Sequence, residues 1–414
     1  MLSMIILADD LTGANDTAIQ YTQFGLKTIV MTQFNQSIDF HNFEKYHVVS
    51  CNLNSRMLGK EEAYEVVKDA ATAFCSQTNT MIYKKIDSLL RGNPGPELKA
   101  VMDVTHADIA FIVPAYPQNN RIVKNGEILS SLENVNVAER FEDSTYVSKI
   151  ITVKDLENSP QFLAKKIGED YKAGVRLFIF DSIVEGHFVF ISEISKFLQL
   201  HIIYCGSAGF APYLLSDKEM SQTLSCRNTW GEHEKILIVC GTRNPITQQQ
   251  LHYALEHFQS TLHCLEVNED DQGKAIDQVS SAVISSFEEG KTKVFLGVSS
   301  VFDDVSFLNL IQEDTSEKAQ IITNQIGCIV NKVFDRIKFS ALFVTGGDTA
   351  LKVSNSLGAF GMIPLREISP GVPLVTLVGG RADGVYMITK SGGFGDEKTI
   401  AHSIEYLGGI KNEN

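Results

Sequence analysis

Short apolar runs alternate with amphipathic segments along the first half of the chain. The amphipathic stretches Lys60–Ser76 and Pro160–Ala173 repeat their apolar positions at helical spacing. The apolar runs are short enough for strands, and they cover Met4–Ala8, Thr28–Thr32, Tyr46–Leu53, Thr80–Ile86, Ile109–Val113, Leu177–Phe180 and Ile202–Cys205. This alternation is typical of βαβ units built around a mainly parallel sheet.

The pattern breaks over residues 215–234, a polar segment that carries the only tryptophan, Trp230. It restarts with the apolar run after Lys235 and continues through predicted helices and strands at Thr247–Phe258, Leu262–Val267, Ala275–Glu289, Val294–Val298, Ala341–Asp348 and Gly384–Thr389. We therefore predict an α/β protein with two domains, residues 1–214 and 235–414, joined by a linker at 215–234. Each domain should be a mainly parallel sheet flanked by helices.

Composition narrows the class of partner. The chain has 414 residues, 44% of them hydrophobic, and a formal net charge of −14. Without a basic surplus to neutralise phosphates, neither a nucleic acid nor an anionic membrane is an expected partner. A small anionic substrate remains compatible if a few cations gather locally, and homo-oligomer formation is left open.

Cysteine usage and the N-terminus indicate a cytoplasmic location. The seven cysteines are widely spaced and never form Cys-x-x-Cys, which is typical of reduced thiols. The apolar start Met1–Ala8 lacks a basic region and is interrupted by Asp9, so it does not resemble a signal peptide. No apolar run approaches the roughly 18 residues that a membrane helix needs.

The first candidate for chemistry is the carboxylate pair Asp9-Asp10. It follows the first strand and precedes a segment that turns through Gly13 into helical spacing. Ligands of open α/β sheets bind at the carboxyl ends of strands, where a carboxylate can orient a hydroxyl, accept its proton or hold a metal. The alternative is that Asp10 or Thr12 only caps the following helix.

Further candidates lie after the other strands of the first half. The loop Lys84–Glu97 combines Lys84, Lys85, Asp87, Ser88 and Arg91 with two glycines, and this set of cations suits an anion. Arg56 follows another strand and is a candidate for a second anion contact, the alternative being a solvated surface charge. The loop Pro114–Arg121 supplies amides and a cation as a wall of the site.

Three glycine-rich loops follow strands in the second half. They are Cys240–Asn244, Val344–Thr349 and Thr389–Asp396. Glycines allow a backbone to approach a phosphate closely, and exposed N–H groups at a helix start then bind it. Helix-ending glycines explain each loop alone but not the set, so a nucleotide site is predicted.

Several other sites are not supported by the sequence. No Gly-x-Gly-x-x-Gly follows a strand and opens a helix, which argues against a dinucleotide site. The histidines form no His-Glu-x-x-His pair, and no set of metal ligands can be identified.

Together these segments resemble the four-carbon acid sugar kinase family, in the family's order and over nearly the whole chain. The matching motifs are Ala8–Asp16, Lys85–Asn93, Gly206–Gly209, Gly346–Thr349, Ile368–Pro373 and Lys390–Asp396. The second motif is more similar to the threonate and erythronate kinases than to the 3-oxo-tetronate kinases. Leu89 departs from the threonine usual at that position.

The resemblance implies an N-terminal domain that binds the acid sugar, a C-terminal domain that binds ATP, and an active site in the inter-domain cleft. There the phosphoryl group would pass to the C4 hydroxyl. D-threonate is the expected substrate, with D-erythronate and 3-oxo-tetronate as alternatives. Mg²⁺ is expected from the chemistry, bridging nucleotide phosphates with few protein ligands. A non-catalytic sensor that binds ATP or a sugar acid remains an alternative of another class.

Roles follow for the candidate residues. The substrate carboxylate is expected to bind Arg56, Lys85 and Arg91, with Ser88 also contacting the substrate. Asp9, Asp10 or Asp87 would bind its hydroxyls, and one of these acids would act as the base. The ATP phosphates are assigned to Thr242, Gly346, Gly347, Asp348, Thr349, Gly392 and Gly393.

Overall fold

The protein is described here by a computed structural model that covers residues 2–34, 40–75, 80–130, 133–214, 235–242, 244–266, 272–298 and 315–408. The chain divides into two compact units, Met1–Ser225 and Cys226–Asn414. The predicted linker at 215–234 lies outside the described residues. No helix in the described ranges is long and apolar enough to cross a membrane.

The first unit is built on a parallel sheet. Its strands, with a small separate sheet formed by β6 to β8, are β1 (Met4–Ala8), β2 (Thr28–Met31), β3 (Val48–Asn52), β4 (Met81–Lys85), β5 (Ile109–Val113), β6 (Ile122–Lys124), β7 (Glu127–Leu129), β8 (Val135–Asn136), β9 (Val147–Ile151), β10 (Val175–Phe180) and β11 (Ile202–Gly206). The order in the main sheet is β2-β3-β1-β4-β11-β5-β10-β9, and each neighbouring pair is parallel. Every residue of β1, β3 and β5 is buried, as expected for a parallel sheet covered on both faces.

Helices connect these strands, and their starts follow from local chemistry. They are α1 (Leu11–Thr22), α2 (Lys60–Cys75), α3 (Pro94–Thr105), α4 (Pro160–Lys172) and α5 (Glu185–Ser195). Ser159 caps α4 by accepting a hydrogen bond from the N–H of Phe162, and proline occupies the first turn of both α3 and α4.

The order of the strands creates a crevice in this unit. From β1 the chain moves to β2 and β3 on one side, and β4 then lies on the other side of β1. Such a reversal opens a crevice at the carboxyl ends of the central strands. The loops after β1 and β4 both begin at this point.

The second unit has a mixed sheet. Its elements are β12 (Ile236–Cys240), α6 (Pro245–His257), β13 (Leu262–Leu265), α7 (Gln272–Glu288), β14 (Lys293–Val298), α8 (Thr315–Arg336), β15 (Ala341–Thr345), α9 (Gly347–Ser356), β16 (Gly361–Ser369), β17 (Val372–Val378), β18 (Tyr386–Lys390) and α10 (Thr399–Gly408). The order is β13-β14-β12-β15-β18-β17-β16, parallel as far as β18 and antiparallel for β17 and β16.

The predicted α/β class, with mainly parallel sheets flanked by helices, is confirmed. The hairpin β16–β17 and the small antiparallel sheet were not anticipated. The two-residue turn Pro370-Gly371 joins β16 to β17, with Gly371 at φ 74°. Such a turn is a local hairpin signal, which an interpretation based on βαβ units passes over.

Candidate functional site

Four charged residues of the first unit meet at one edge of its sheet. Asp9 and Asp10 follow β1, Arg56 lies in the loop after β3, and Asp87 follows β4. Because β3, β1 and β4 are adjacent and parallel, their carboxyl ends share this edge. The sheet therefore gathers side chains that are far apart in sequence.

Arg56 holds the two adjacent acids. Its Nε and Nη2 donate to the two carboxylate oxygens of Asp9 at 2.8 and 2.9 Å, and its Nη1 donates to Asp10 Oδ2 at 2.6 Å. Nη2 also lies 3.9 Å from Asp87 Oδ1. This bidentate geometry is the strong form of an arginine–carboxylate pair. The predicted surface alternative for Arg56 is wrong, because only 18% of its side chain is exposed.

The pKa values of the two acids are shifted in opposite directions. Burial by itself would raise the pKa of Asp9, but the charge and hydrogen bonds of Arg56 outweigh it and lower that pKa. Burial raises the pKa of Asp10, and the opposing charge of Arg56 does not cancel the rise. Asp10 is therefore the better proton acceptor of the pair.

Asp10 also caps α1, as the alternative interpretation allowed. Its Oδ1 accepts from the N–H of Gly13 at 2.7 Å, while its other oxygen binds Arg56. The Lys85 ammonium lies against Gly13, where a Cβ would come within 2.8 Å of Nζ. A Cβ at this position would also lie 2.7 Å from Asp10 Oδ1, so glycine accommodates the cap and the cation without displacing either. Capping and a place in the charged cluster thus coexist in one residue.

Asp87 is held by the loop that it begins. Its two oxygens accept from Arg91 Nε and Nη2, both at 2.8 Å, and from the backbone N–H of Leu89 at 3.2 Å. Burial opposes ionisation of Asp87, but the hydrogen bonds and charges of Arg91 and Arg56 lower its pKa strongly. Arg91 keeps 56% of its side chain exposed, so its outer face remains available to solvent.

Arg121 joins the cluster from the loop after β5. Its Nη1 donates to the hydroxyl of Ser88, the residue after Asp87. Reciprocal backbone hydrogen bonds between Tyr116 and Arg121, at 2.6 and 3.2 Å, close the loop and fix its direction. The structure thus brings this predicted wall to the predicted substrate residue Ser88.

Lys84 does not face the cluster. Its fully buried ammonium lies 2.7 Å from Glu97 Oε2, and Glu97 Oε1 accepts from Ser55 Oγ at 2.7 Å. Neighbouring residues of a strand point to opposite faces, so Lys84 and Lys85 could not both reach one site. The sequence could have shown this, because the two lysines are adjacent in a predicted strand. Glu97, at the far end of the same loop, was not anticipated as its partner.

In the second unit, three loops converge at the ends of adjacent parallel strands. Gly241-Thr242 follows β12, Gly346-Gly347 follows β15, and 391–396 follows β18. The side chain of Thr349 packs so closely on Gly241 that a Cβ there would overlap it, and a Cβ on Gly392 would lie 2.8 Å from Thr242 Oγ1. The structure therefore brings the predicted ATP-binding loops together.

A cavity of about 210 Å³ lies beside two of these loops. Its lining comes from the loop after β12, the end of β14, α8 and the start of α9, and comprises Gly241, Thr242, Val298, Ala319, Ile322, Thr323, Gly346, Gly347, Asp348 and Thr349. Gly392 and Gly393 do not line it. Four of the predicted glycine and threonine residues, with Asp348, thus surround one space.

The start of α9 opens onto this cavity. Gly346 precedes the helix with φ 96°, a conformation that strains any residue with a Cβ. No side chain among the described residues caps the helix, so its first N–H groups are suited to an anion. Asp348 is exposed in the first turn.

Lys390 was not predicted as a site residue, although it begins the matching motif Lys390–Asp396. It ends β18 with 1% exposure, and its Nζ lies 2.8 Å from Ser391 O, 3.2 Å from Gly392 O and 3.1 Å from Phe394 O. That motif and a lysine at the end of a buried strand are its signals in the sequence. The ammonium lies within the third loop and binds its carbonyls.

The described residues fit a nucleotide better than a protein-held metal. They contain no cluster of three or more His, Cys, Asp or Glu side chains suited to an ion. The close glycine and threonine loops, together with an uncapped helix start, fit a phosphate chain. Glycine-rich loops of this kind bind phosphate through backbone N–H groups.

Comparison with known proteins matches both units. Residues 4–214 match the family model described as a sugar-binding N-terminal domain, and residues 237–400 match the one described as a nucleotide-binding C-terminal domain. Over 98% of this chain and 97% of the relative, the sequence is 28% identical to a D-erythronate kinase of Heliobacterium modesticaldum. It is 24% identical to a D-threonate kinase of Salmonella typhimurium over 98% of both chains.

Other similar proteins extend the range of substrate names. A 3-oxo-tetronate kinase of Haemophilus influenzae is 24% identical over 95% of this chain and 97% of its own. A solved structure from Salmonella typhimurium aligns with a TM-score of 0.78 at 20% identity, over 97% of this chain and 98% of that one. The shared fold therefore extends over both units.

Proposed function

The chain belongs to the four-carbon acid sugar kinase family, and we propose that it transfers the γ-phosphoryl group of ATP to the C4 hydroxyl of D-threonate. Kinase-named relatives that align over nearly the full length support an ATP-dependent kinase acting on a four-carbon sugar acid. The names of these relatives differ in the four-carbon acid, so D-threonate is the more specific part of the proposal. D-erythronate is the second candidate, because the 28% identical relative carries that name.

One observation carries the assignment of the acid-sugar site. Asp9, Asp10 and Asp87 come together at the strand ends of the first unit, with Arg56, Lys85 and Arg91 around them. A sugar acid presents hydroxyls and one carboxylate, which are the partners that such acids and cations bind.

We assign the base to Asp10. Its raised pKa favours proton acceptance from the C4 hydroxyl, whereas the pKa values of Asp9 and Asp87 are lowered. Arg56 fixes Asp10 Oδ2 and the α1 cap fixes Oδ1, so the carboxylate is held in one orientation. Phosphoryl transfer requires mainly such positioning, together with charge neutralisation.

The three cations differ in how many of their hydrogen-bond donors already bind acids of the protein. Three nitrogens of Arg56 donate to Asp9 and Asp10, so Arg56 primarily orders the acids. Arg91 has an exposed outer face, and Lys85 lies beside Asp10. We propose that Lys85 and Arg91 bind the substrate carboxylate and that Ser88 contacts a hydroxyl.

In the second unit, the ATP phosphates are assigned to the N–H groups of the three loops and the start of α9. Thr242 and Thr349 would add hydroxyl donors. Mg²⁺, proposed from the chemistry, would be held chiefly by nucleotide phosphates, because the described residues offer no ligand cluster. Location of the active site between the two domains stays a prediction.

A coupled assay for ADP release tests this function. D-threonate, D-erythronate and 3-oxo-tetronate are each supplied with MgATP, and the product is examined by phosphorus NMR for attachment at C4. The highest kcat/KM is expected for D-threonate. A higher value for either other acid transfers the assignment to that substrate. Binding of ATP and acid without any ADP release would favour the non-catalytic sensor.

A further inference from the structure

Lys390 is buried without a carboxylate partner. Among the residues that the structure describes, no acidic side chain lies within ion-pair distance of its ammonium, and its acceptors are loop carbonyls and Thr247 Oγ1 at 3.2 Å. A buried ammonium is costly unless hydrogen bonds satisfy it. A neutral side chain would fill the same space at a lower desolvation cost, so the presence of the charge needs a physical reason.

Two side chains of α6 also bind carbonyl oxygens of this loop. Thr247 Oγ1 donates to Gly392 O at 2.8 Å, and Gln250 Nε2 donates to Phe394 O at 3.0 Å and to Asp396 O at 2.7 Å. Thr247 and Gln250 both lie on α6 and are buried. The loop is therefore fastened by its carbonyl oxygens to one helix and one ammonium.

The hydrogen bonds to these carbonyl oxygens also fix the direction of the N–H groups of the loop. In a trans peptide the C=O and the following N–H point in opposite directions. Since the carbonyls of Ser391 and Gly392 point to the ammonium, the N–H groups of Gly392 and Gly393 point away from it. Within the described part of the chain, neither of these N–H groups donates a hydrogen bond.

We propose that Lys390 is a positioning residue for the nucleotide: its ammonium orders the loop 391–396 so that the N–H groups of Gly392 and Gly393 donate to phosphate oxygens of ATP. This inference rests on the proposed nucleotide site of the second unit. Lys390 itself does not contact the nucleotide. Its buried positive charge also attracts the phosphate chain, and a low-polarity interior weakens that attraction less than water does.

The proton on Lys390 gives the proposal a measurable signature. Burial lowers the pKa of Lys390 to about 8. The titratable neighbour that acts on it is the Cys240 thiol at the end of β12, and burial raises the pKa of that thiol to about 12, so it stays neutral. Bound phosphates would stabilise the ammonium, so ADP binding near pH 8 should take up a proton.

The test compares ADP binding to the full chain by calorimetry at neutral pH. Lys390→Met keeps an apolar stem but removes the charge, and should weaken ADP binding by about 10–100-fold. Thr247→Val removes one hydroxyl from the Gly392 carbonyl and should weaken binding by about 3–10-fold. The matched control Lys398→Met removes an exposed lysine near the same loop and should bind ADP as the wild type does.

A second readout separates positioning from a purely structural role. Calorimetry of wild-type protein near pH 8, in two buffers with different heats of ionisation, should show proton uptake on ADP binding. Lys390→Met should abolish that uptake, and Lys398→Met should keep it. If Lys390→Met does not fold, the proposal is tested by the proton uptake of the wild type and by the ADP affinity of Thr247→Val.

Two results would overturn the proposal in different ways. If wild-type protein binds ADP without proton uptake, or Lys390→Met binds it as tightly as the wild type, the role of Lys390 is wrong and the kinase assignment stands. If wild-type protein binds no ADP at all, the nucleotide site fails, and this inference fails with it.

Discussion

The buried Lys84 ammonium lies 2.7 Å from the Glu97 carboxylate, and Glu97 also accepts a hydrogen bond from Ser55, the residue before Arg56. Lys84 donates in addition to the backbone carbonyl of Leu7 at 3.1 Å. This pair therefore links β1, β4 and α3 to the loop that carries Arg56. It supports the charged cluster from within the fold, and the charge of Lys84 contributes to the lowered pKa of Asp9.

Removing one partner of this pair should be strongly destabilising. Glu97→Gln leaves the Lys84 ammonium uncompensated in the interior, and breaking a buried ion pair in this way costs about 3–5 kcal/mol. The double variant Lys84→Met with Glu97→Leu removes both charges and should be more stable than Glu97→Gln. Urea unfolding measures both, and equal stability of Glu97→Gln and wild type would contradict the pairing.

Asp10→Asn should separate catalysis from folding. Asparagine caps helices as well as aspartate does, so α1 should persist. Its amide nitrogen cannot accept from Arg56 Nη1, and the loss of this one contact should lower the melting temperature without unfolding the protein. The amide cannot accept the C4 proton, and kcat should fall by about 10²–10⁴-fold if Asp10 is the base. The assay and a thermal melt are run together. Normal turnover would move the role of base to Asp9 or Asp87.

Arg91→Met should weaken binding of the sugar acid. The exposed face of Arg91 is then lost, and the KM for the acid should rise by about 10–100-fold because a charge-assisted hydrogen bond is removed. The KM for ATP should stay unchanged. Arg140→Met, which alters an exposed arginine of the same unit, is the control. An unchanged KM for the acid would leave the substrate carboxylate to Lys85.

Gly346→Ala should impair nucleotide binding. At φ 96° a Cβ is strained, so the turn before α9 would shift and its N–H groups would move. Steady-state kinetics should show a KM for ATP raised by about tenfold or more, the equivalent of losing one or two hydrogen bonds. The control Gly273→Ala places a Cβ in open space on α7. Equal effects of both variants would argue against a special role for Gly346.

Lys390 should make stability depend on pH in the alkaline range. Its folded pKa of about 8 lies below the ordinary value of 10.5, so between these values the unfolded chain binds the proton and the folded chain does not. The contribution of Lys390 to stability therefore rises with pH through this window, by up to about 1.4 kcal/mol per pH unit. Wild type should gain stability relative to Lys390→Met from pH 8 upwards, while its ADP affinity falls. A constant difference between the two would contradict the lowered pKa.

The alternation of apolar runs was sufficient for the fold class because a buried parallel strand and its crossover helix have distinct periods. The same pattern placed Asp9, Arg56 and Asp87 at strand ends, and glycines at three later ones. Contacts between residues that are distant in sequence cannot be predicted from local periodicity. Glu97 is separated from Lys84 by a loop and a helix start, and nothing in their spacing indicates a buried pair.

By itself, the sequence determined the two α/β halves, the strand ends that carry charge, and the glycine loops, because these are properties of short segments. Only the tertiary structure decided which cations are already bound to acids, that Asp10 both caps α1 and joins the cluster, and that Lys390 binds loop carbonyls. Those outcomes depend on which strands lie side by side and which face each side chain takes. The order of strands in a sheet is fixed by packing across the whole domain, whereas local pattern fixes only the strands themselves.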